Sequence, residues 1–246
     1  MTSPLATLVG ESFCARQRLH AERWPGGECV AVEGVLLGRL PGAEQLQVAF
    51  ATAFAPHPIE TASQWYGDEP FTLWLPEGAP TIGAIVTEYV AGMAAPIDTI
   101  PECGAVPVEG LTIETVEDSD RRDDYLQVVL GFGLPDEVAG GLFPLELFTA
   151  DGVEGLIGYI DGEPAVATWA HACGSVLGLY GVLTDPKFRG RGLLRAIIAR
   201  AARSHVAEGC MHVVAQTAGA EAAFERLGFN VVTRYIVVET APDESA

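Results

Sequence analysis

From Gly110 onward, apolar and polar positions fall into short patterned runs separated by turn residues. "GLTIETV" (Gly110–Val116) alternates and predicts a strand. Asp118 or Ser119 is placed to cap a helix through "DRRDDYLQVVLGF", and "DEVAGGLFPLELF" predicts a second helix. "VEGLIGYI" and "EPAVATWAHAC" are β-patterned runs on either side of Asp161-Gly162, a pair that tolerates the positive φ angles of a tight turn, so they predict a hairpin. "SVLGLYGVL" (Ser175–Leu183) continues the sheet. Between Leu193 and Ala207 the spacing turns helical, with Leu194, Ile197, Ile198, Ala201 and His205 on one face. "MHVVAQT" then predicts a strand, "AEAAFERLGF" a helix stopped by Gly228, and "NVVTRYIVVE" a final strand.

The first half is less regular. "ECVAVEGVLLGRL" (Glu28–Leu40) reads as extended, "HPIETASQWYGD" as a short helix, "PFTLWL" as a strand and "TIGAIVTEYVAGM" as a helix. Pro and Gly cluster in "PECGAVPVEG" (Pro101–Gly110), which marks a boundary and divides the chain into 1–105 and 106–246. Both halves mix helix and strand, so the expected class is α/β (α+β), each part a mixed central sheet flanked by helices.

Composition narrows the function. Hydrophobic residues at 49% and charged residues at 19% belong to a globular chain. The net charge of -19 argues against nucleic acid or an anionic membrane as partner, because both are bound through extended basic surface. That acidity serves solubility, or steers a cationic or amine substrate. The cysteines (Cys14, Cys29, Cys103, Cys173, Cys210) form no CxxC, and the histidines form no HExxH or HxxxH pair. The expectation is therefore no metal site and no disulfide framework, in a reducing cytoplasm. No basic-then-apolar leader opens the chain, and no apolar run approaches the roughly 20 residues that span a bilayer.

Against 33 Asp plus Glu the chain has 14 Lys plus Arg, yet Arg189-Gly190-Arg191-Gly192 and Arg195 crowd the mouth of one apolar helix. A strand, a Gly-rich basic loop and a helix N-terminus together make a phosphate site. The first-turn N–H groups lack intrahelical partners, the helix dipole adds roughly half a positive charge, and Arg can fork two donors onto phosphate oxygens. A Walker loop would need GxxxxGK followed by Ser or Thr, and the lysine, Lys187, precedes the glycines. A dinucleotide fingerprint would need Gly where Arg195 stands and an acid where Gln216 and Thr217 stand.

A third design fits. Arg189-x-x-Gly192 at a helix head resembles the pyrophosphate loop of the GNAT superfamily of acyl-CoA-dependent N-acyltransferases. The elements around it stand in that family's order as "GLYGVLTDPKFRGRG", "LLRAIIARAARSHVAEG", "MHVVAQT" and "AAFERLGF", over roughly Leu111 to Val238. The first half resembles the degenerate first domain of tandem two-domain GNAT proteins, through "WYGDEPFTLWLPEG" and Gly92-Met93.

The resemblance implies two GNAT-like domains, the C-terminal one binding acetyl-CoA or a related acyl-CoA. Arg189, Gly190, Arg191, Gly192, Leu193, Leu194 and Arg195 would hold the pyrophosphate. Val182, Leu183 and Thr184 would meet the pantetheine, and Thr217 stands where the family commonly has Asn. An amine of a small molecule or protein would be the acceptor, held between the domains and against the helices from Asp120 to Leu147. Two positions depart from the pattern: Leu194 replaces a small residue, and Phe224 replaces the tyrosine that protonates the departing thiolate. Tyr180 is a candidate substitute for that acid. No general base is evident; His171, Cys173 and Glu154 are weaker candidates. A non-catalytic acyl-CoA-binding module, or another acyl-thioester reaction on the same scaffold, are the alternatives.

Overall fold

A computed structural model describes residues 3–52, 55–81, 84–100, 107–131 and 133–239 of the 246. The chain divides into two compact units. The first takes Met1–Met93, Gln216–Glu221 and Val231–Ala246; the second takes Ala94–Ala215 and Ala222–Asn230. The division falls inside a strand at Met93/Ala94. The Pro101–Gly110 stretch expected as the boundary lies outside the described residues as far as residue 106.

In the first unit the helix α1 (Pro4–Arg23) precedes an antiparallel hairpin of β1 (Glu28–Val32) and β2 (Val35–Arg39). Glu33 and Gly34 turn it with φ of 47° and 84°, so the stretch read as extended is two strands with a tight turn between them. β3 (Val48–Ala51) pairs antiparallel with β2, α2 (Pro58–Tyr66) crosses over, and β4 (Thr72–Pro76) returns parallel to β3. Leu37, Leu73, Leu75 and Val238 are fully enclosed in the core between α2 and these strands, and Tyr66 stacks on Phe71 with ring centroids 4.5 Å apart. The Tyr66 hydroxyl is buried without cost, because it donates to the Gly38 carbonyl at 2.7 Å and accepts from the Gly38 N–H at 3.1 Å.

The expected helix over "TIGAIVTEYVAGM" is a strand, β5 (Ile85–Pro96). Residues 85–89 are exposed and residues 90–95 are buried, so the run shows neither a helical stripe nor strict alternation. A short apolar run buried on both faces has no period to read. Beside it runs the final strand, β11 (Asn230–Glu239), which pairs antiparallel with β4 from Tyr235↔Pro76 to Glu239↔Thr72. Gly92 is where β5 and β11 need a glycine. A Cβ there would lie 2.5 Å from the Thr233 methyl, 2.9 Å from Val9 and 3.2 Å from the Tyr235 ring. Gly92→Ala should therefore cost roughly 1–3 kcal/mol of stability through overpacking. A chemical-denaturation midpoint equal to wild type would show that the neighbours yield freely.

The second unit follows the expected order. β6 (Leu111–Thr115) leads into α3 (Ser119–Leu130), whose N-cap Asp118 accepts from the Arg121 N–H at 2.9 Å. That hydrogen bond is the chief reason the Asp118 carboxyl titrates below its usual value. The second expected helix is two short ones, α4 (Asp136–Leu142) and α5 (Leu145–Phe148), parted at Phe143 and Pro144. β7 (Val153–Ile160) and β8 (Glu163–Cys173) form the hairpin turned by Asp161 and Gly162, at φ 52° and 84°. β9 (Val176–Thr184) pairs antiparallel with β8, α6 (Leu193–Val206) crosses over, and β10 (His212–Thr217) returns parallel to β9. The short α7 (Glu221–Glu225) ends before Gly228 at φ 91°. The strand order within this unit is β10-β9-β8-β7-β6. On α6 the buried positions are Leu193, Ile197, Ile198, Ala199, Ala201, Ala202 and His205; Leu194, expected on that face, is only half-buried.

Candidate functional site

β9 parts from β10 halfway along its length. The parallel ladder runs from His212↔Val176 to Ala215↔Leu179 and then stops. On the other side β8 stays with β9 to Val166↔Thr184, but with a register shift between Ala167 and Trp169. Trp169 faces Tyr180 and Ala167 faces Leu183, so Gly181 and Val182 together oppose Thr168. This is a bulge. The buried Thr168 hydroxyl donates to the Tyr180 carbonyl at 3.1 Å, and Gly181 takes φ +55°. The twist leaves Gly181–Thr184 with a backbone edge that no strand takes up on the β10 side among the described residues. An extended amide-bearing ligand can add there as a strand would.

Beyond Thr184 the chain is held tightly. Asp185 accepts from the Lys187 N–H at 2.8 Å, Lys187 pairs with Glu163 at 2.8 Å, and the Arg189 Nε donates to the Thr184 carbonyl at 3.3 Å. Gly190 and Gly192 sit at φ 81° and 83°, where a side chain is strained. Gly192 is the N-cap of α6: its carbonyl accepts from the Ala196 N–H at 3.1 Å, and it offers no side chain to the first turn. The N–H groups of Leu193, Leu194 and Arg195 therefore have no intrahelical partner, and the first turn of α6 carries no acidic residue. Arg191 lies over the Phe188 ring at 5.4 Å, and neither Arg191 nor Arg195 enters a salt bridge among the described residues. The mouth of α6 thus combines open backbone donors, a helix dipole and uncommitted guanidinium groups. It suits a phosphorylated ligand.

The other named positions fall as follows. Tyr180 is buried, its ring tilted on Trp169 at 4.7 Å, so it braces the bulge instead of facing solvent. Phe224 is buried and meets Phe229 edge-on, with centroids 5.3 Å apart at 82°. Thr217 ends β10, where the chain groups with the first unit. His171 pairs with Gly178, three residues along β9 from Gly181, which is about 10 Å from the near end of the free edge. Burial pushes its pKa down. Cys173 lies still further, opposite Val176. Glu154 is half-buried and bound to Arg200 at 3.1 Å and Ser204 at 3.2 Å, a tie between β7 and the C-terminal half of α6.

One residue of this neighbourhood had no sequence signal. Tyr125 of α3 is fully buried, its hydroxyl has no hydrogen-bond partner, and a Cβ at Gly181 would lie 3.6 Å from that oxygen. Burial raises its pKa well beyond the usual phenol value. Periodicity marks Tyr125 as core; nothing in it locates the hydroxyl under the bulge.

The first unit repeats part of this plan. β3 and β4 are also parallel and also flank a helix, α2. Its N-terminus, however, has Pro58 at the first position, which lacks an N–H, and Glu60 in the first turn. That end repels an anion where α6 attracts one.

A mixed sheet whose parallel pair splays around a glycine-mouthed helix defines an α/β fold with its candidate site at the helix mouth. Residues 117–229, a stretch that lies within the second unit and the connections around it, match the model of the acetyltransferase (GNAT) family. No curated protein matches the chain at a significant level. Among solved structures, the chain is similar to a GCN5-related N-acetyltransferase from Kribbella flavida, at 18% identity over 93% of this chain and 94% of that one, with a TM-score of 0.66. It is similar to a GCN5-related N-acetyltransferase from Sphaerobacter thermophilus at 14% identity, covering 94% and 90%, with a TM-score of 0.65. A tandem GNAT protein from the clavulanic acid biosynthesis pathway matches at 15% identity, covering 94% and 89%, with a TM-score of 0.63. At these identities the likeness is one of fold.

Proposed function

We propose that this protein is an acyl-CoA-dependent N-acyltransferase, moving an acetyl or other small acyl group to an amine of a small molecule or protein. The observation that carries the reading is the mouth of α6, where Gly190 and Gly192 bring open N–H groups and uncommitted arginines to the end of a strand with a free edge. Acetyl-CoA would supply the activated thioester. The N–H groups of Leu193, Leu194 and Arg195, with Arg189 and Arg191, would hold the pyrophosphate. Val182 and Leu183 would pair with the pantetheine amides, with Thr184 at the turn. Backbone N–H groups of the bulged strand would polarise the acyl carbonyl as the amine attacks. The enzyme then contributes positioning and electrostatics instead of a covalent intermediate.

We read the chain further as two GNAT-type repeats, 1–105 and 106–246, of which only the second keeps a working loop. The parallel pair around α2 supports this, and Pro58 and Glu60 explain why its helix mouth is silent.

A non-catalytic acyl-CoA-binding module is the second reading, and Phe224 favours it, since its buried ring has no proton to give. One experiment separates the two. CoA and acetyl-CoA should raise the melting temperature, with ATP and NAD doing much less, because a ligand selective for the folded state stabilises it. Release of free thiol from acetyl-, propionyl- or malonyl-CoA with a panel of amines then reports catalysis. Equal shifts with all four nucleotides would overturn the specific site; a CoA shift without thiol release would leave the binding module.

A further inference from the structure

The first unit holds a cavity of about 420 Å³ that none of the chemistry above uses. One stripe of α1 forms one wall, carrying Gly10, Cys14 and Arg18 at successive turns. Phe50 of β3 and Tyr235 of β11 form the floor, their rings 5.2 Å apart. A volume of this size, apolar below with a few convergent polar groups, is typical of a small-molecule site.

Three observations say what it takes. First, Arg18 is exposed at the cavity and enters no salt bridge among the described residues, in a chain with far more acids than bases. A cation left without a carboxylate beside an apolar hollow matches an external one. Second, the floor carries a phenol, since Tyr235 lines the cavity beside Phe50 and a phenol can donate a hydrogen bond as well as accept one. Third, Gly10 sits inside a twenty-residue helix, where glycine costs about 1 kcal/mol relative to alanine. Sterics do not require it, since a Cβ would lie at ordinary contact, 3.5 Å from the Phe50 ring and 3.7 Å from the Tyr235 oxygen. Its missing side chain leaves room in the cavity beside that oxygen.

We propose that this cavity binds a small monocarboxylate with an apolar body, its carboxylate on Arg18 and its body over Phe50 and Tyr235. Glu11 restricts the class to a single charge. It lines the same cavity two helical turns from Arg18, about 10 Å along the axis, and would repel a second carboxylate. Cys14 contributes a neutral wall, as burial pushes its thiol up to about 11. The site is independent of the loop at Arg189–Arg195.

The test uses the full chain and octanoate as probe, with octylamine and 1-octanol as charge controls, by titration calorimetry. Octanoate should bind saturably and the two controls at least tenfold more weakly. Arg18→Ala, an exposed position, should weaken octanoate on the order of tenfold or more, the scale of a charge-assisted hydrogen bond. Gly10→Leu should remove binding by filling the hollow while leaving the circular-dichroism melt at or above wild type. Both variants should keep the wild-type response to acetyl-CoA, so failure here is distinguishable from failure of the acyltransferase reading. No heat with octanoate, equal binding of octylamine or octanol, or wild-type binding by either variant would overturn the proposal.

Discussion

Gly192→Glu should abolish the thermal response to CoA and acetyl-CoA and leave the second unit folded. Two effects separate cleanly at this position. The backbone effect is strain: at φ +83° a side chain costs roughly 1–2 kcal/mol, while the new Cβ itself meets the Arg195 guanidinium at an ordinary 3.5 Å. The charge effect is larger and falls on the ligand. A carboxylate at the helix mouth takes up the first-turn donors and the dipole, which partly offsets the strain in the free protein. On the proposed reading, the same carboxylate stands where the pyrophosphate would sit. Affinity for CoA should fall by about 10²-fold or more, since a paired site becomes a repulsive one. Gly192→Ala is the control, carrying the strain without the charge, and should lose much less. Titration calorimetry with CoA on all three proteins, beside their melting curves, checks this. Undiminished binding by the Glu variant would remove the loop from the cofactor site.

The second unit was legible because its local chemistry and its tertiary fate agree. Asp161-Gly162 needs nothing distant to form a turn, Asp118 caps its own helix, and Gly190 and Gly192 need only their own backbone to open the mouth of α6. The first unit depends on partners far away in sequence. β11 reaches β4 across more than a hundred and fifty residues, at Tyr235↔Pro76, and no window of the sequence contains that pairing. β5 read as a helix because its buried half is apolar on both faces, which erases the period of two. The twenty residues of α1 went unassigned because polar positions interrupt them: Ser12 is buried beside Phe13, which rests on Phe50 and Trp74. At the candidate site, the glycine and arginine loop was visible in residue types alone. The bulge was not, since it arises from how β8 and β9 pair, and with it went the placement of Tyr125 beneath Gly181.

Phe224→Tyr decides between enzyme and binder, and we expect it to bind CoA like wild type and to release thiol faster. The ring belongs to α7, between β10 and the turn at Gly228, and on the proposed reading it takes the place of a phenol that would act as the acid. General acids contribute on the order of 10²–10⁴-fold, which bounds what a restored proton donor can add. CoA thiolate leaves fairly well unaided near neutral pH, so a gain toward the lower end of that range is expected. The added oxygen must also be accommodated. Phe224 is 5% exposed and its ring meets Phe229, so a hydroxyl turned into that contact would lack a partner and cost roughly 1–3 kcal/mol. Melting and thiol release therefore have to be measured on the same variant. Faster release with an unchanged melt means the hydroxyl reaches the thioester and the domain catalyses with a vacant acid position. No release from either form, with CoA binding intact, leaves the binding module. A lower melt with slower release means that the apolar ring itself shapes the acyl pocket, and that Phe224 is a wall of the site and not a lost acid.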